Sequence, residues 1–178
     1  MNLPSSIMQV PRHITSPNAT IISLLLLQAF QRVRREIPGA TLHLVGQERI
    51  PRMEGLVNHG FVNQREVLVE LMRRAHVLAL PSFVDRNPIS VLEAMACGTP
   101  CVTSNYAAIP EILGDAGIAV SSGNCEELSS ALIRVLTDRE LSAQLGSAGR
   151  RRFETKYNWD VAWEIIRREI IVALGEVI

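Results

Sequence analysis

The sequence predicts an α/β domain built as a Rossmann-like, doubly wound parallel sheet. Short apolar runs each end in Gly, Pro or Ser, helical repeats of apolar residues fill the gaps between them, and 178 residues suit one core of ordinary size. The alternation carries most weight. Strands joined through helices need crossovers, and right-handed crossovers cover both faces of a parallel sheet.

Residues 1–19 hold Pro4, Pro11 and Pro17 with little periodicity, so they predict no definite element beyond a candidate first strand at 7–10. From 20 to 36 apolar residues recur at helical spacing (Leu24, Leu27, Phe30, Val33), and Pro38-Gly39 stops the pattern. Residues 41–46 form a short apolar run that reads as a buried strand, and the same form recurs at 76–81, 101–104 and 118–120. Helical patterns at 65–74, 91–97 and 126–136 lie between these runs. After Asp138 the pattern is helical only, at 141–153 and 160–174, with Asn158 placed as an N-cap. This divides the chain into an N-terminal segment (1–19) without assigned structure, an α/β body (20–156) and a C-terminal helix (157–178).

Composition removes several function classes. Eighteen basic residues balance eighteen acidic ones, so no overall field recruits nucleic acid. Lys156 is the single lysine, which excludes any mechanism needing one upstream. Cys97, Cys101 and Cys125 are odd in number and follow no secretory leader, which predicts a reducing, cytoplasmic setting. The apolar run at 21–27 is far shorter than the ~20 residues that span a bilayer. Arg32, Arg34 and Arg35 follow that run, leaving two readings of the helix: core-facing, or in peripheral contact with a membrane.

In an open parallel sheet ligands bind beyond the carboxyl ends of the strands, so the loops beginning at Gly46, Pro81, Ser104 and Ser121 are the candidates. The loop after Pro81 carries the most chemistry. Pro88 suits a first helical turn with Asn87 as its N-cap, and the free N–H groups of that turn would seat a phosphate or diphosphate. Asp85 lies just before the helix and Glu93 lies within it.

Asp85, seven residues, Glu93 and then Ala-Met-Ala-Cys-Gly-Thr-Pro resembles the nucleotide-sugar signature of retaining GT-B glycosyltransferases, the glycosyl transferases group 1. The resemblance runs from about residue 25 to 170 and takes in the 42–46 run, Gly60-Phe61-Val62, Ala75-His76-Val77, Ile109-Pro110-Glu111 and Tyr157-Asn158-Trp159. It implies the C-terminal, donor-binding half of a GT-B fold, acting without metal or cofactor on a nucleotide-diphosphate sugar as substrate. The implied roles are ribose binding for Glu93, orientation of the transferred sugar for Asp85, and diphosphate and nucleoside contacts from the backbone of Ile89, Ser90 and Val91. Phe61 and Val62 would border the base, and Gly46 would lie near the phosphates. The implied partner is a separate acceptor-binding N-terminal domain, onto which the final helix with Trp159 and Trp163 crosses.

The chain departs from the family pattern at three places. Asp85 replaces the usual first Glu, residues 12–22 offer Arg12 and His13 where the family has Arg and Lys, and Gln47-Glu48 follow Gly46 where a second glycine is common. Charge stabilisation of a departing diphosphate is a large electrostatic contribution, so these changes predict weakened donor binding and turnover.

Other readings stand beside these. Glu93 three residues after Ser90 also fits a capping box, and Asp85 also fits a turn. Cys97 and Cys101 read as buried thiols, the four histidines as dispersed, Ser104-Asn105 as a strand-end turn, and Arg150-Arg151-Arg152 as a solvated helix end. At the level of function, a donor-binding glycosyltransferase half stands against a non-catalytic nucleotide-sugar-binding or protein-interaction module derived from one. An NAD-dependent oxidoreductase is excluded because no Gly-x-Gly-x-x-Gly follows a predicted strand.

Overall fold

A computed structural model of the chain describes residues 6–9, 17–46, 52–82 and 88–173. The order is β1 (Ser6–Gln9), α1 (Pro17–Glu36), β2 (Thr41–Leu44), β3 (Leu56–Asn58), α2 (Arg65–Arg74), β4 (Val77–Leu80) and α3 (Ile89–Cys97). It continues with β5 (Cys101–Ser104), α4 (Ile109–Leu113), β6 (Gly117–Val120), α5 (Cys125–Thr137), α6 (Arg139–Arg152), a π-helical turn (Phe153–Tyr157) and α7 (Trp159–Ala173). The six strands are parallel in the order β3-β2-β1-β4-β5-β6. This is the predicted doubly wound sheet, and β1 occupies the place of the candidate first strand.

The order reverses between β1 and β4, where Ile7 pairs with Leu42 on one side and Val77 on the other. That reversal marks the switch point at which open α/β sheets bind ligands. Alternate residues of each strand feed the two faces. Ile7, Leu42, Leu44, Ala79 and Val102 pack under α1 and α5, against Leu26, Phe30, Val33, Leu128 and Leu132. Met8, Leu78 and Leu80 pack under α2 and α3, against Met72, Val91, Ala94 and Met95. Fully burying each Val, Leu, Ile, Phe or Met among these contributes about 1.5–3 kcal/mol.

Leu26, Phe30 and Val33 of α1 are buried in the core, in keeping with the core-facing reading of this helix. No helix among the described residues is long and apolar enough to cross a membrane.

Local chemistry sets the ends of the elements. Gly98 closes α3 in the left-handed region (φ 72°), donating to the Ala94 and Met95 carbonyls, a backbone that side chains rarely adopt. Asn124 caps α5 through the Glu126 and Glu127 N–H groups, and Asn158 Oδ1 accepts from Val161 N–H at 2.9 Å, the expected cap of α7. Helix α6 then runs along the amino edge of the sheet. A Cβ on its Gly146 would collide with the Gly98 carbonyl, and one on Gly149 would meet Met95 and Ala116.

Three elements differ from the sequence expectation. Strand β3 and helix α4 are additional, and the last turn of the expected 141–153 helix passes into the π-turn. Helix α3 starts at Ile89 rather than at Pro88, so Pro88 itself (φ −75°) takes the N-cap position expected for Asn87. Helix α7 adds no residue to either core. Along it Trp159, Trp163, Ile166 and Ile170 form an exposed apolar stripe, Trp159 being 86% exposed.

Candidate functional site

Strand β4 lies beside the switch point, and the first turn of α3, the next element in the chain, opens at the carboxyl edge of the sheet. Val91 N–H is already donated to the Pro88 carbonyl at 2.9 Å. The N–H groups of Ile89 and Ser90 are the two of this turn that the helix itself has no carbonyl to bond. Ser90 and Val91 side chains are buried against the sheet and Ile89 is half-exposed, so the contacts available from this turn are backbone ones.

Glu93 lies one turn further along, on the same face as Ile89. A helical side chain lies over the turn N-terminal to its own Cα, which carries the Glu93 carboxylate back towards the opening of the helix. The residue is half-buried, and its Oε2 is shielded from solvent. The capping-box reading fails here. It needs Ser90 at the N-cap, whereas Ser90 is the second helical residue and no side chain caps this helix.

Gly46 and Gly60 join the ends of β2 and β3 to this edge, Gly46 N–H donating to the Gly60 carbonyl at 2.6 Å. Both have positive φ (84° and 59°), which permits the close approach of the two loops. Phe61 beyond them is 61% exposed and presents a free ring, while Val62 packs against the α2–α3 core. Sequence reasoning paired these two residues, and the structure separates their surroundings. Asp85, with Arg12, His13, Gln47 and Glu48, lies outside the described residues.

Around the same edge Ser104 Oγ donates to the Ser82 carbonyl and Asn105 N–H to the Val120 carbonyl, so Ser104-Asn105 ties strand ends together. Ala107 follows at φ 49°, a strained conformation for a residue with a Cβ that no local sequence signal announces. Glu127 binds Ser121 N–H (2.7 Å) and Asn124 Nδ2 (2.7 Å). These hydrogen bonds, that from Ser121 N–H first, hold its carboxyl below the usual range.

An open cleft of about 1460 Å³ lies elsewhere, at the amino edge between the ends of α2, α5 and α6. Here two expectations are corrected. The histidines are not all dispersed: β2 pairs with β3, so that His43 Nδ1 meets His59 Nε2 at 2.9 Å with the rings stacked. Burial lowers both imidazole pKa values, with the charges of His59 and Arg74 adding to the effect at His43. Among the described residues no group of three His, Cys, Asp or Glu is placed to hold a metal ion.

The 150–152 run is not merely solvated. Arg150 donates to the Ala96 carbonyl at the end of α3 and pairs with Glu154, and Arg152 Nε donates to the Ile112 carbonyl at 2.8 Å. These cations serve the ends of neighbouring helices. Cys101 is fully buried, its thiol pushed up to about 12, and Cys97 is half-buried.

The family model for glycosyl transferases group 1 matches residues 20–138. Among curated proteins, the chain is 33% identical over 104 residues to an O-antigen chain mannosyltransferase B of Escherichia coli, covering 56% of this chain and 27% of that protein. It is 30% identical over 148 residues to a glycogen synthase of Mycobacterium tuberculosis, covering 75% and 35%. The chain thus spans about a quarter to a third of the length of these relatives. Among solved structures, the C-terminal domain of a glycosyl transferase group 1 family protein from Francisella tularensis aligns over 87% of both chains with a TM-score of 0.72 at 19% identity. The HepE protein of Anabaena, solved with UDP and glucose, aligns over 98% of this chain and 49% of its own, with a TM-score of 0.72 at 18% identity.

Proposed function

Because the chain belongs to the family of glycosyl transferases group 1, we propose that it is the donor-binding half of a retaining, metal-independent glycosyltransferase using a nucleotide-diphosphate sugar. The observation that carries this reading is the opening of α3 at the switch point, with Glu93 one turn inside it.

The free N–H groups of Ile89 and Ser90 and the positive end of the α3 dipole suit a diphosphate. A carboxylate accepts from two hydroxyls at once, so Glu93 would hold the vicinal hydroxyls of the ribose. Phe61 would lie against the base, with Val62 behind it. Asp85 would orient the sugar, and Gly46 would let the β2 loop approach the phosphates. In the transfer the anomeric C–O bond to the diphosphate would break, one to the acceptor oxygen would form on the same face, and the acceptor hydroxyl's proton would pass to the departing diphosphate. This chain would hold the leaving group while a separate N-terminal domain presents the acceptor. The Trp159–Trp163–Ile166–Ile170 stripe of α7 is the surface on which that domain would dock. The free thiols accord with action in the cytoplasm.

Calorimetric titration of the chain with UDP, GDP and ADP tests the reading. One of the three should bind, and Glu93→Ala should weaken it about a hundredfold, the loss of two hydrogen bonds to a charged group. A folded chain that binds none of them would leave the interaction-module reading in its place.

A further inference from the structure

The cleft at the amino edge takes no part in the donor reading, and its lining is one-sided in charge. Arg73 and Arg74 end α2, and Arg139, Arg150 and Arg151 project from α6, while no Asp or Glu lines it. Five of eighteen basic residues thus converge on one depression in a chain with no net charge. We propose that this cleft binds a small phosphorylated molecule carrying two or more negative charges, at a site separate from the nucleotide edge.

Basic residues at helix ends commonly do no more than offset the dipole. At α2 that need is already met. The Met72 carbonyl accepts from Thr99 Oγ1 at 2.7 Å, the Leu71 carbonyl from Ala75 N–H, and the Arg74 carbonyl from Ser6 Oγ at 3.1 Å. At α5 the Ile133 and Arg134 carbonyls accept from Thr137 Oγ1 and Asp138 N–H. Arg150 is held by Glu154 and Ala96, but Arg73, Arg74 and Arg151 are exposed and enter no ion pair among the described residues. Guanidinium groups arranged in this way from two elements suit a phosphate, which accepts paired hydrogen bonds.

The remaining walls fit the rest of such a ligand. Thr41, Ser142 and Ser147 add hydroxyl groups, and Leu71, Val135 and Leu136 supply an apolar floor. The volume of about 1460 Å³ exceeds the ~300–1,000 Å³ typical of ligand pockets, so a sugar phosphate or nucleotide fits with room for water. His43, His59 and His76 also line the cleft, and the Arg74 charge already reaches His43. A bound anion would therefore be felt at these rings.

The experiment follows the imidazole NMR signals of His43, His59 and His76 in the full chain during titration with inorganic pyrophosphate, against sodium chloride at matched ionic strength. Saturable shifts with pyrophosphate alone are expected. An Arg73→Gln/Arg74→Gln double variant, exposed at both positions and checked by its melting curve, should weaken them at least about tenfold. Because the readout is local to the cleft, it does not depend on whether the nucleotide edge binds. Shifts that chloride reproduces, or that persist in the double variant, would overturn the proposal. So would unmoved imidazoles together with Arg73- and Arg74-dependent sedimentation on phosphatidylglycerol vesicles, since the partner would then be a lipid surface.

Discussion

The two ends of this sheet present positive potential by different means. At the carboxyl edge the described connecting segments 59–64, 81–82, 105–108 and 121–124 carry no Lys or Arg, and there the N–H groups and dipole of α3 face an anion. At the amino edge, where helices end, five guanidinium groups line a single cleft. The difference follows from the parallel topology. Every crossover helix starts at one edge and ends at the other, so backbone donors gather at the first, while the guanidinium groups at the second come from the end of α2 and from both ends of α6.

Substitutions at each end separate the two. The largest effect is expected at the amino edge from Gly146→Val, which forces α6 off the Gly98 carbonyl and costs about 3 kcal/mol in a chemical denaturation curve. At the carboxyl edge Asn124→Ala removes the cap that serves Glu126 and Glu127 N–H. It should cost about 1–2 kcal/mol by the same measurement without disturbing the cleft. Ala107→Gly should act in the opposite direction, stabilising by about 1 kcal/mol, because glycine adopts φ 49° without the Cβ clash. A destabilised Gly variant would mean that the Ala107 methyl packs more than its backbone strains.

The smallest expected effect is on pH dependence. The folded-state pKa values of His43 and His59 lie below the ordinary 6.5, so the unfolded chain takes up protons first. Their contribution is complete above about pH 6.5 and is lost as pH falls from there through the folded values. Melting temperatures between pH 7 and pH 5 should therefore decline, and His43→Gln should flatten the decline. An unchanged slope would assign the acid sensitivity to other groups.

What the sequence disclosed divides along similar lines. Strands β2, β4, β5 and β6 were legible because each is a short apolar run closed by a breaker, and α1, α2 and α5 because their apolar periodicity is helical. The three residues of Leu56–Asn58 are too few to show a period, and Ile109–Leu113 holds a proline and barely more than one turn. The proposed carboxyl-edge residues Glu93, Ile89 and Ser90 were legible as a group because they sit within one local motif. The amino-edge cleft was not, because Arg73, Arg150 and His43 come from distant segments that only the fold brings together. Arg152 illustrates the point: its bond to the Ile112 carbonyl spans 40 positions, and no local pattern encodes it.

The carboxyl edge is the proposed nucleotide site. Backbone amide NMR shifts during titration with whichever nucleoside diphosphate binds test this most directly. Gly46, Gly60, Phe61, Ile89 and Ser90 are expected to shift first and saturate together, with any response at Arg73 and Arg74 following only at higher concentration. First saturation at Arg73, Arg74 and His43, with Ile89 and Ser90 unmoved, would contradict that assignment.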